Sequence, residues 1–303
     1  MTVDIKARSI SRSLRECLSS GPSTIRVLAA FERACDLISA EDRIVAVVLP
    51  EIGDGPLNVV VSARTSDLQS LQPGTIGSLE RDALRVGTVA IDLSAASVWD
   101  PRPNWETLRS SLDNIRERLP ILRDAAIQWA APGSLLAILD GEESSCRPAQ
   151  RTPLVSRSAL ISARRVLESL SHGWREDAGA MESVAHRLAG LGEGLTPAGD
   201  DFLAGLILWL WLAHPKPTTL CHELAQIAAP LTTILSAAML RAAARGECNV
   251  GWHRLLSALS EASSDEELAC AAQGVLHHGA TSGADTLAGF LWTGTCTLPL
   301  ISR

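Results

Sequence analysis

The chain has 303 residues, of which 46% are hydrophobic and 20% are charged, so it can bury a sizeable core and is not disordered. This length accommodates one large domain or two ordinary ones. The 34 acidic residues outnumber the 27 basic residues, and the formal net charge is −7. That balance excludes a protein whose main role is to grip nucleic acid, because such binding depends on clustered positive charge.

Two features indicate the compartment. Residues 1–17 are polar and lack the apolar core of a signal peptide, and the longest apolar stretch, residues 202–213, is too short to span a bilayer. The seven cysteines are scattered and form no CxxC pair, which is typical of free thiols in a reducing compartment. We therefore expect a cytoplasmic protein without a membrane segment.

The first third of the chain predicts β-structure. Runs rich in β-branched residues occur at Thr24–Phe31, Arg43–Pro50 and Pro56–Ser62, and Gly and Asp residues separate them. A fourth run, Ala83–Leu93, is interrupted by Gly87, which indicates a bulge or a bend. Because few helical patterns lie between these runs, we expect a mostly antiparallel sheet or a small barrel.

The pattern becomes helical from residue 104 onward. In Trp105–Trp129 apolar residues recur every three or four positions, and Pro120 predicts a break into two helices. The polar segment Asp140–Thr152 indicates an exposed loop or linker. Further helical stretches are predicted at Ser158–Leu170, Ala178–Ala189, Ala198–Ala213, Thr218–Ala244, His253–Ala262, Glu266–His277 and Gly283–Thr293.

The predicted fold class is therefore α+β. A β-rich N-terminal domain, residues 1–103, precedes an α-helical domain, residues 104–303. Two helices of the second domain, the one that begins near residue 198 and the one that begins near residue 283, open with glycine-rich turns. We interpret these turns as two pseudo-repeated loop–helix units, and they carry the most information about function.

The first turn is GLGEGLTPAGDDFLAG, residues 190–205. Gly192 and Gly194 allow backbone angles that other residues avoid, and Thr196 is placed to cap the helix that follows. Such a turn presents free N–H groups and the positive end of a helix dipole, both of which suit a phosphate or a carboxylate.

Two carboxylates complicate this interpretation. Asp200 and Asp201 lie in the first turn of the predicted helix, where they would repel an anion unless a proton or a cation intervenes. Three roles stay open for them: holding Mg²⁺, acting as a general base, or binding a neighbouring loop.

The second turn is HHGATSGADTLAG, residues 277–289. Gly194-x-Thr196 matches Gly279-x-Thr281, and Asp201-Phe-Leu-Ala-Gly205 matches Asp285-Thr-Leu-Ala-Gly289. Two such helix N-termini facing each other would build a pocket with hydrogen-bond donors on both walls.

A purely structural role is the alternative for each of these features. Ser282-x-x-Asp285 is also an ordinary capping box. His277 and His278 adjoin the second turn, where either acts as an acid–base group or an anion partner, or one faces the core and the other is solvated. The hydroxyls of Thr232, Thr233 and Ser236 hydrogen-bond either a small polar ligand or the carbonyls of their own helix.

The candidate residues fall into two groups. The candidate catalytic residues carry titratable side chains: Asp200, Asp201, Asp285 and His278. The candidate substrate-binding residues carry hydroxyls or glycine backbone: Gly192, Gly194, Thr196, Gly199, Thr281, Ser282, Gly283, Thr233 and Ser236. No zinc motif occurs, so no metal site is predicted, and the sequence identifies no cofactor beyond the open role for Mg²⁺ at Asp200 and Asp201.

The two turns, GLGEGLTPAGDDFLAG and HGATSGADTLAG, resemble the AllH family, one subunit of the oxamate carbamoyltransferase of allantoin catabolism. The resemblance extends more loosely to Phe31–Cys35, to Thr232–Thr233 with Ser236, and to Ala244–Gly246. Ala198 stands where the family more often has Ser, which removes one hydroxyl from the first turn.

The resemblance implies a cytosolic subunit in purine-nitrogen metabolism. The implied reaction is phosphorolysis of oxalurate to oxamate and carbamoyl phosphate, or its reverse. The implied partners are these small anions and two other subunits, one of them related to acyl-CoA synthetases. Two alternatives stay open: a non-catalytic scaffold or metabolite-sensing subunit, and a stand-alone enzyme that acts on another small amide or carboxylate.

Overall fold

The computed structural model describes residues 3–18, 21–139, 161–166, 178–261 and 263–296. The chain divides into two compact units. We call them the barrel unit, Met1–Pro103 with Glu247–Val250, and the helical unit, Asn104–Gly246 with Gly251–Arg303. The predicted loop Asp140–Thr152 and both ends of the predicted helix Ser158–Leu170 lie outside the described residues.

The barrel unit is built from nine strands and two short helices in its described part. The strands are β1 (Val3–Ser11), β2 (Ser23–Ala30), β3 (Ala34–Ser39), β4 (Ile44–Val48), β5 (Asn58–Val61), β6 (Ile76–Leu79), β7 (Ala83–Val86), β8 (Val89–Asp92) and β9 (Ser97–Trp99). The helices are α1 (Arg12–Cys17) and α2 (Thr65–Gln69).

Eight of these strands close a barrel. Their order is β5-β4-β3-β2-β6-β7-β8-β1, and β1 pairs back onto β5 in antiparallel register, with Ala7 opposite Val61. Strand β9 extends the sheet by pairing in parallel with the end of β1. The pairs β1–β8 and β4–β5 are also parallel, and the other pairs are antiparallel. The predicted α+β class, with a β-rich N-terminal part, is confirmed.

The barrel core follows from the alternation of side chains along each strand. In β1 the exposed residues Asp4, Lys6 and Arg8 alternate with the buried Ile5 and Ala7. That alternation explains why this polar segment forms a strand that the runs of β-branched residues did not predict.

Gly87 separates the two strands of the predicted run Ala83–Leu93. It has φ +57° and lies in the turn of the hairpin that pairs Val86 with Val89. The interruption expected at this glycine is therefore a complete reversal of chain direction between β7 and β8.

The helical unit contains most of the helices. These are α3 (Trp105–Ser110), α4 (Leu112–Trp129), α5 (residues 161–166), α6 (Ala178–Leu188), α7 (Ala198–Ala213), α8 (Pro217–Ala228), α9 (Ile234–Ala244), α10 (Val250–Ser260), α11 (Asp265–Leu276) and α12 (Ser282–Cys296). Short 3₁₀ turns occupy Leu135–Ile138 and Ala229–Leu231. No helix in the described ranges is long and apolar enough to cross a membrane.

The predicted break at Pro120 is wrong. Pro120 lies inside α4, and the helical segment is interrupted earlier, at Ser111, between α3 and α4. A proline in a helix removes one hydrogen bond, but α4 also buries Ile115, Leu119 and Leu122 along one face. This burial compensates for the missing bond, so the helix continues through the proline.

Helices α7 and α12 cross at two glycines from the repeated Leu-Ala-Gly sequence. A Cβ atom at Gly205 would lie 1.7 Å from the carbonyl oxygen of Thr286, and one at Gly289 would lie 1.9 Å from that of Phe202. In the aligned repeats Gly205 matches Gly289 and Phe202 matches Thr286, so the two contacts are reciprocal. The internal repeat therefore packs against itself, backbone to backbone.

We expect the Gly205→Ala variant to lose about 3 kcal/mol of folding free energy, because a methyl group at this position overlaps a main-chain oxygen. Gly274→Ala in α11 is the matched control: no atom lies within 4 Å of its Cβ position, so it should be neutral or slightly stabilising. Urea unfolding of both variants measures the difference. Equal stability of the two variants would contradict the close crossing of α7 and α12.

Candidate functional site

The two glycine-rich turns are neighbours. Loop 1, residues 189–197, joins α6 to α7, and loop 2, residues 277–281, joins α11 to α12. The Thr196 and Ser282 hydroxyl oxygens lie 2.9 Å apart in a hydrogen bond. We call this meeting point of the two helix starts the loop junction.

Loop 1 depends on its glycines. Gly190, Gly192 and Gly194 have φ of +71°, +124° and +93°, a region that side chains rarely adopt. A Cβ atom at Gly190 would lie 2.6 Å from the Leu231 carbonyl oxygen, whereas no atom lies within 4 Å of the Cβ position of Gly194. Gly194 is therefore free of packing constraints and lies at the open side of the loop.

The main-chain N–H groups that loop 1 can offer to a ligand belong to the loop and not to the first turn of α7. The N–H groups of Gly199, Asp200 and Asp201 already bond the carbonyls of residues 191 and 197. In contrast, for the main-chain N–H groups of residues 192–195, the described part of the chain supplies no hydrogen-bond acceptor. Thr196 does not cap α7, which begins after Pro197 without a side-chain cap.

Asp200, in the first turn of α7, holds loop 1 in place through hydrogen bonds. Its side chain is buried, Oδ1 accepts the Gly190 N–H at 2.9 Å, and Oδ2 accepts the Thr232 hydroxyl. Burial raises the pKa of this carboxyl, and the hydrogen bonds from Thr232 and Gly190 oppose the rise. Because the protein occupies both oxygens, Asp200 positions the loop.

Asp201 is arranged differently. Burial raises its pKa well above the usual range of a carboxyl, the Ser282 hydroxyl opposes this, and the charges of Asp285 and Asp200 add to it. A hydrogen bond from Thr196 also opposes the rise in pKa. Its Oδ2 is buried and has no hydrogen-bond partner among the described residues.

Asp285 is the equivalent residue of the second repeat. It is fully buried, and its Oδ1 accepts the Leu135 N–H at 2.6 Å. Burial raises the pKa of Asp285 to about 6, and the hydrogen bonds from Leu135 and Thr281 oppose this. Its Oδ2, like that of Asp201, finds no donor in the ranges that the structure describes.

Several other candidates have contacts that serve packing. Gly199 and Gly283 each press against the helix that precedes their loop, since a Cβ atom would lie 2.1 Å from the Leu188 oxygen and 1.9 Å from the Val275 oxygen, respectively. Thr233 caps α9 by accepting the Ser236 N–H at 3.1 Å, and it donates to the main-chain oxygen of loop 1 at position 195. These contacts hold loop 1 and the starts of α7 and α12 against α6, α9 and α11.

His278 adjoins loop 2. Burial lowers the pKa of its imidazole, so the ring is neutral at physiological pH. Its main-chain oxygen accepts the Gly283 N–H at 2.9 Å, which fixes loop 2 at the start of α12. The neighbouring His277 is exposed.

The donor set does not favour a metal ion. No group of three or more His, Cys, Asp or Glu side chains is arranged to hold a metal within the described residues. Mg²⁺ at Asp200 and Asp201 also lacks support, because both oxygens of Asp200 accept hydrogen bonds from the protein.

Sequence reasoning missed one participant in this site. Leu135 contributes its main-chain N–H to Asp285 from 150 positions away. A main-chain donor leaves no signal in the sequence, so only the fold reveals it.

Residues 188–294 match the family model described as oxamate carbamoyltransferase subunit AllH. The matched segment contains both loops, together with α7 and α12 up to Gly294. The predicted resemblance is confirmed over this segment. The looser resemblance at Phe31–Cys35 lies outside it. No solved structure matches the chain significantly.

We expect Asp285→Asn to gain stability relative to the wild type as pH rises. The folded pKa of about 6 exceeds the value of 3.8 for an unperturbed Asp, so the stabilisation from this proton is present below about pH 4 and is lost as pH rises through about 6. A difference of about two pKa units corresponds to about 3 kcal/mol. Asn keeps an acceptor for the Leu135 N–H and cannot ionise.

Urea unfolding at several pH values between about 4 and 7.5 measures this effect. The exposed Asp113→Asn is the control for exchanging a carboxyl for an amide at the surface. A stability difference between Asp285→Asn and wild type that stays constant over this range would contradict the raised pKa.

Proposed function

We propose that this chain is a subunit of a carbamoyltransferase that acts on oxamate or oxalurate, with carbamoyl phosphate or phosphate as the second substrate. The observation that carries the proposal is the family match, because it spans the loop junction and the family is named as an oxamate carbamoyltransferase subunit. Its working partners are other subunits of that enzyme, one of them related to acyl-CoA synthetases.

The chemistry sets what the site must provide. In phosphorolysis of oxalurate, a phosphate oxygen bonds to the carbamoyl carbon, and the bond from that carbon to the amide nitrogen breaks. The proton of hydrogen phosphate ends on the nitrogen of oxamate. Such a site needs donors for anionic oxygens and a group that holds or moves a proton near the amide.

The loop junction offers both kinds of group. The free N–H groups of residues 192–195 suit a phosphate or carboxylate. The hydroxyls of Thr196 and Ser282 hydrogen-bond Asp201, and that of Thr281 hydrogen-bonds Asp285, so they hold the two carboxyls at the junction.

Asp201 is the carboxyl best suited to contact the reacting amide. One of its oxygens has no hydrogen-bond partner among the described residues, and burial raises its pKa, which favours the protonated form. Asp285 is the second carboxyl of this kind. The neutral imidazole of His278 is a further proton acceptor beside loop 2.

A scaffold or metabolite-sensing role is the second candidate. It is favoured by the hydrogen bonds that Asp200 and Asp285 accept from the main chain, since a purely structural role explains both. Kinetics of an Asp201 variant separates the two candidates, because only the catalytic subunit loses turnover with that side chain.

We expect carbamoyl phosphate or phosphate to raise the Tm of the wild-type chain. A ligand at about 100 times its Kd stabilises by about 2.7 kcal/mol. Gly194→Ala should lose this rise, because its methyl group enters the open side of loop 1. Gly74→Ala is the matched control: it has φ +87° and no atom within 4 Å, so it carries the same backbone strain away from the loops. Equal ligand shifts in both variants would contradict anion binding at loop 1.

In the complex co-expressed with its partner subunits, we expect Asp201→Asn to lower kcat at least about 100-fold with a smaller effect on KM. Asn retains the shape of the side chain and removes its titratable proton. Steady-state phosphorolysis of oxalurate measures both constants. Unchanged turnover in a correctly assembled complex would favour the scaffold.

A further inference from the structure

Two carboxyl oxygens at the loop junction lack a partner. They are Oδ2 of Asp201 and Oδ2 of Asp285, and both are buried without a hydrogen-bond partner among the residues that the structure describes. Buried polar atoms in folded proteins almost always find a partner in the protein, in water or in a ligand, so two such oxygens in one site make it a candidate ligand site. Asp200, which lies beside them, has no such vacancy because both its oxygens accept hydrogen bonds from the protein.

The two carboxyls belong to one site. They occupy equivalent positions of the internal repeat, one in the first turn of each crossing helix. The Ser282 hydroxyl at the start of α12 hydrogen-bonds the Asp201 carboxyl, and Asp285 follows one turn later on the same helix. Asp201 as a whole is only half-buried, so the junction reaches the surface of the helical unit.

The two carboxyls differ in their pKa values. The charge of Asp285 opposes ionisation of Asp201, and the pKa of Asp201 lies well above its usual range while that of Asp285 is about 6. Burial therefore favours the protonated form of both carboxyls, and the charge of Asp285 adds to this effect at Asp201. Two carboxyls that share one proton offer an O–H donor on one side chain and an acceptor on the other.

An amide group is the complement of such a pair, because it presents an N–H donor and a C=O acceptor side by side. A keto group or a carboxylate presents no N–H and leaves the accepting oxygen unpartnered. The free N–H groups of residues 192–195 are then available for the anionic end of the same molecule.

We propose that the free oxygens of Asp201 and Asp285 bind the amide group of the substrate, one carboxyl accepting its N–H and the other donating to its C=O. The inference rests on the proposed function and adds the part of the substrate that the site recognises. The ligand class is a small primary amide or ureide with one anionic end, and Asp201 and Asp285 are its specificity-determining residues.

Oxamate and pyruvate provide a matched pair of probes, since pyruvate has a methyl group in place of the amide NH₂ and keeps the ketone and carboxylate. Isothermal titration of the wild-type protein, alone and in the co-expressed complex, measures both Kd values. We expect oxamate to bind at least about tenfold more tightly, because pyruvate leaves a buried acceptor unpaired.

Two variants locate the discrimination. Asp285→Asn should reduce the oxamate preference to about threefold or less, because Asn keeps its oxygen for the Leu135 N–H and places an NH₂ donor at the Oδ2 position. Asp113→Asn makes the same exchange at an exposed position of α4, away from both loops, and should keep the preference. Circular dichroism and Tm of each variant confirm that it is folded.

Equal affinity of the wild type for oxamate and pyruvate would overturn the inference, and it needs no variant to do so. In that case stabilisation by carbamoyl phosphate would still support the proposed function. Absence of binding by oxamate, phosphate and carbamoyl phosphate in the assembled complex would overturn the proposed function itself, and the inference with it.

Discussion

The candidate site depends on the close crossing of α7 and α12. Gly205 and Gly289 allow the two helices to touch backbone to backbone, at distances that leave no space for a Cβ atom. Each helix begins about two turns before its glycine, so the crossing fixes the distance between the two helix starts. The hydrogen bond between Thr196 and Ser282 follows from that spacing. A larger residue at either glycine would push α7 and α12 apart and so move loop 1 away from loop 2.

The crossing also determines the electrostatics of the junction. It brings the first turns of two helices together, and each contributes a carboxyl with one buried oxygen at the equivalent position. The dipole of a helix start favours a negative charge, but burial and the neighbouring carboxyls disfavour it. For Asp201 and Asp285 burial is the larger effect, and their pKa values rise. The protein therefore loses stability at neutral pH at the residues that are best suited to handle a proton.

Patterns that act over short distances along the chain were predictable. The runs of β-branched residues predicted β2, β4, β5 and the β7–β8 hairpin, and the repeated Gly, Thr and Asp spacing predicted both loops. The prediction of a break at Pro120 failed because burial along α4 outweighs one lost hydrogen bond. Contacts between segments that are distant in the sequence could not be predicted. Neither the hydrogen bond from the Leu135 N–H to Asp285 nor that from the Thr232 hydroxyl to Asp200 leaves a local sequence pattern.

The two repeats are not equivalent, and their differences have a physical consequence. Asp200, which holds loop 1 to Thr232, corresponds to Ala284 in the second repeat, and the spacing from Thr to Asp is five residues in one loop and four in the other. Loop 1 is therefore fixed by a buried carboxyl, and its N–H groups at residues 192–195 find no acceptor among the described residues, whereas Asp285 is fixed by a main-chain donor from another segment. Two identical half-sites suit a symmetric ligand. A junction with anion donors on one side and a carboxyl pair at its centre suits a molecule whose two ends differ, as the carboxylate and the amide of oxamate do.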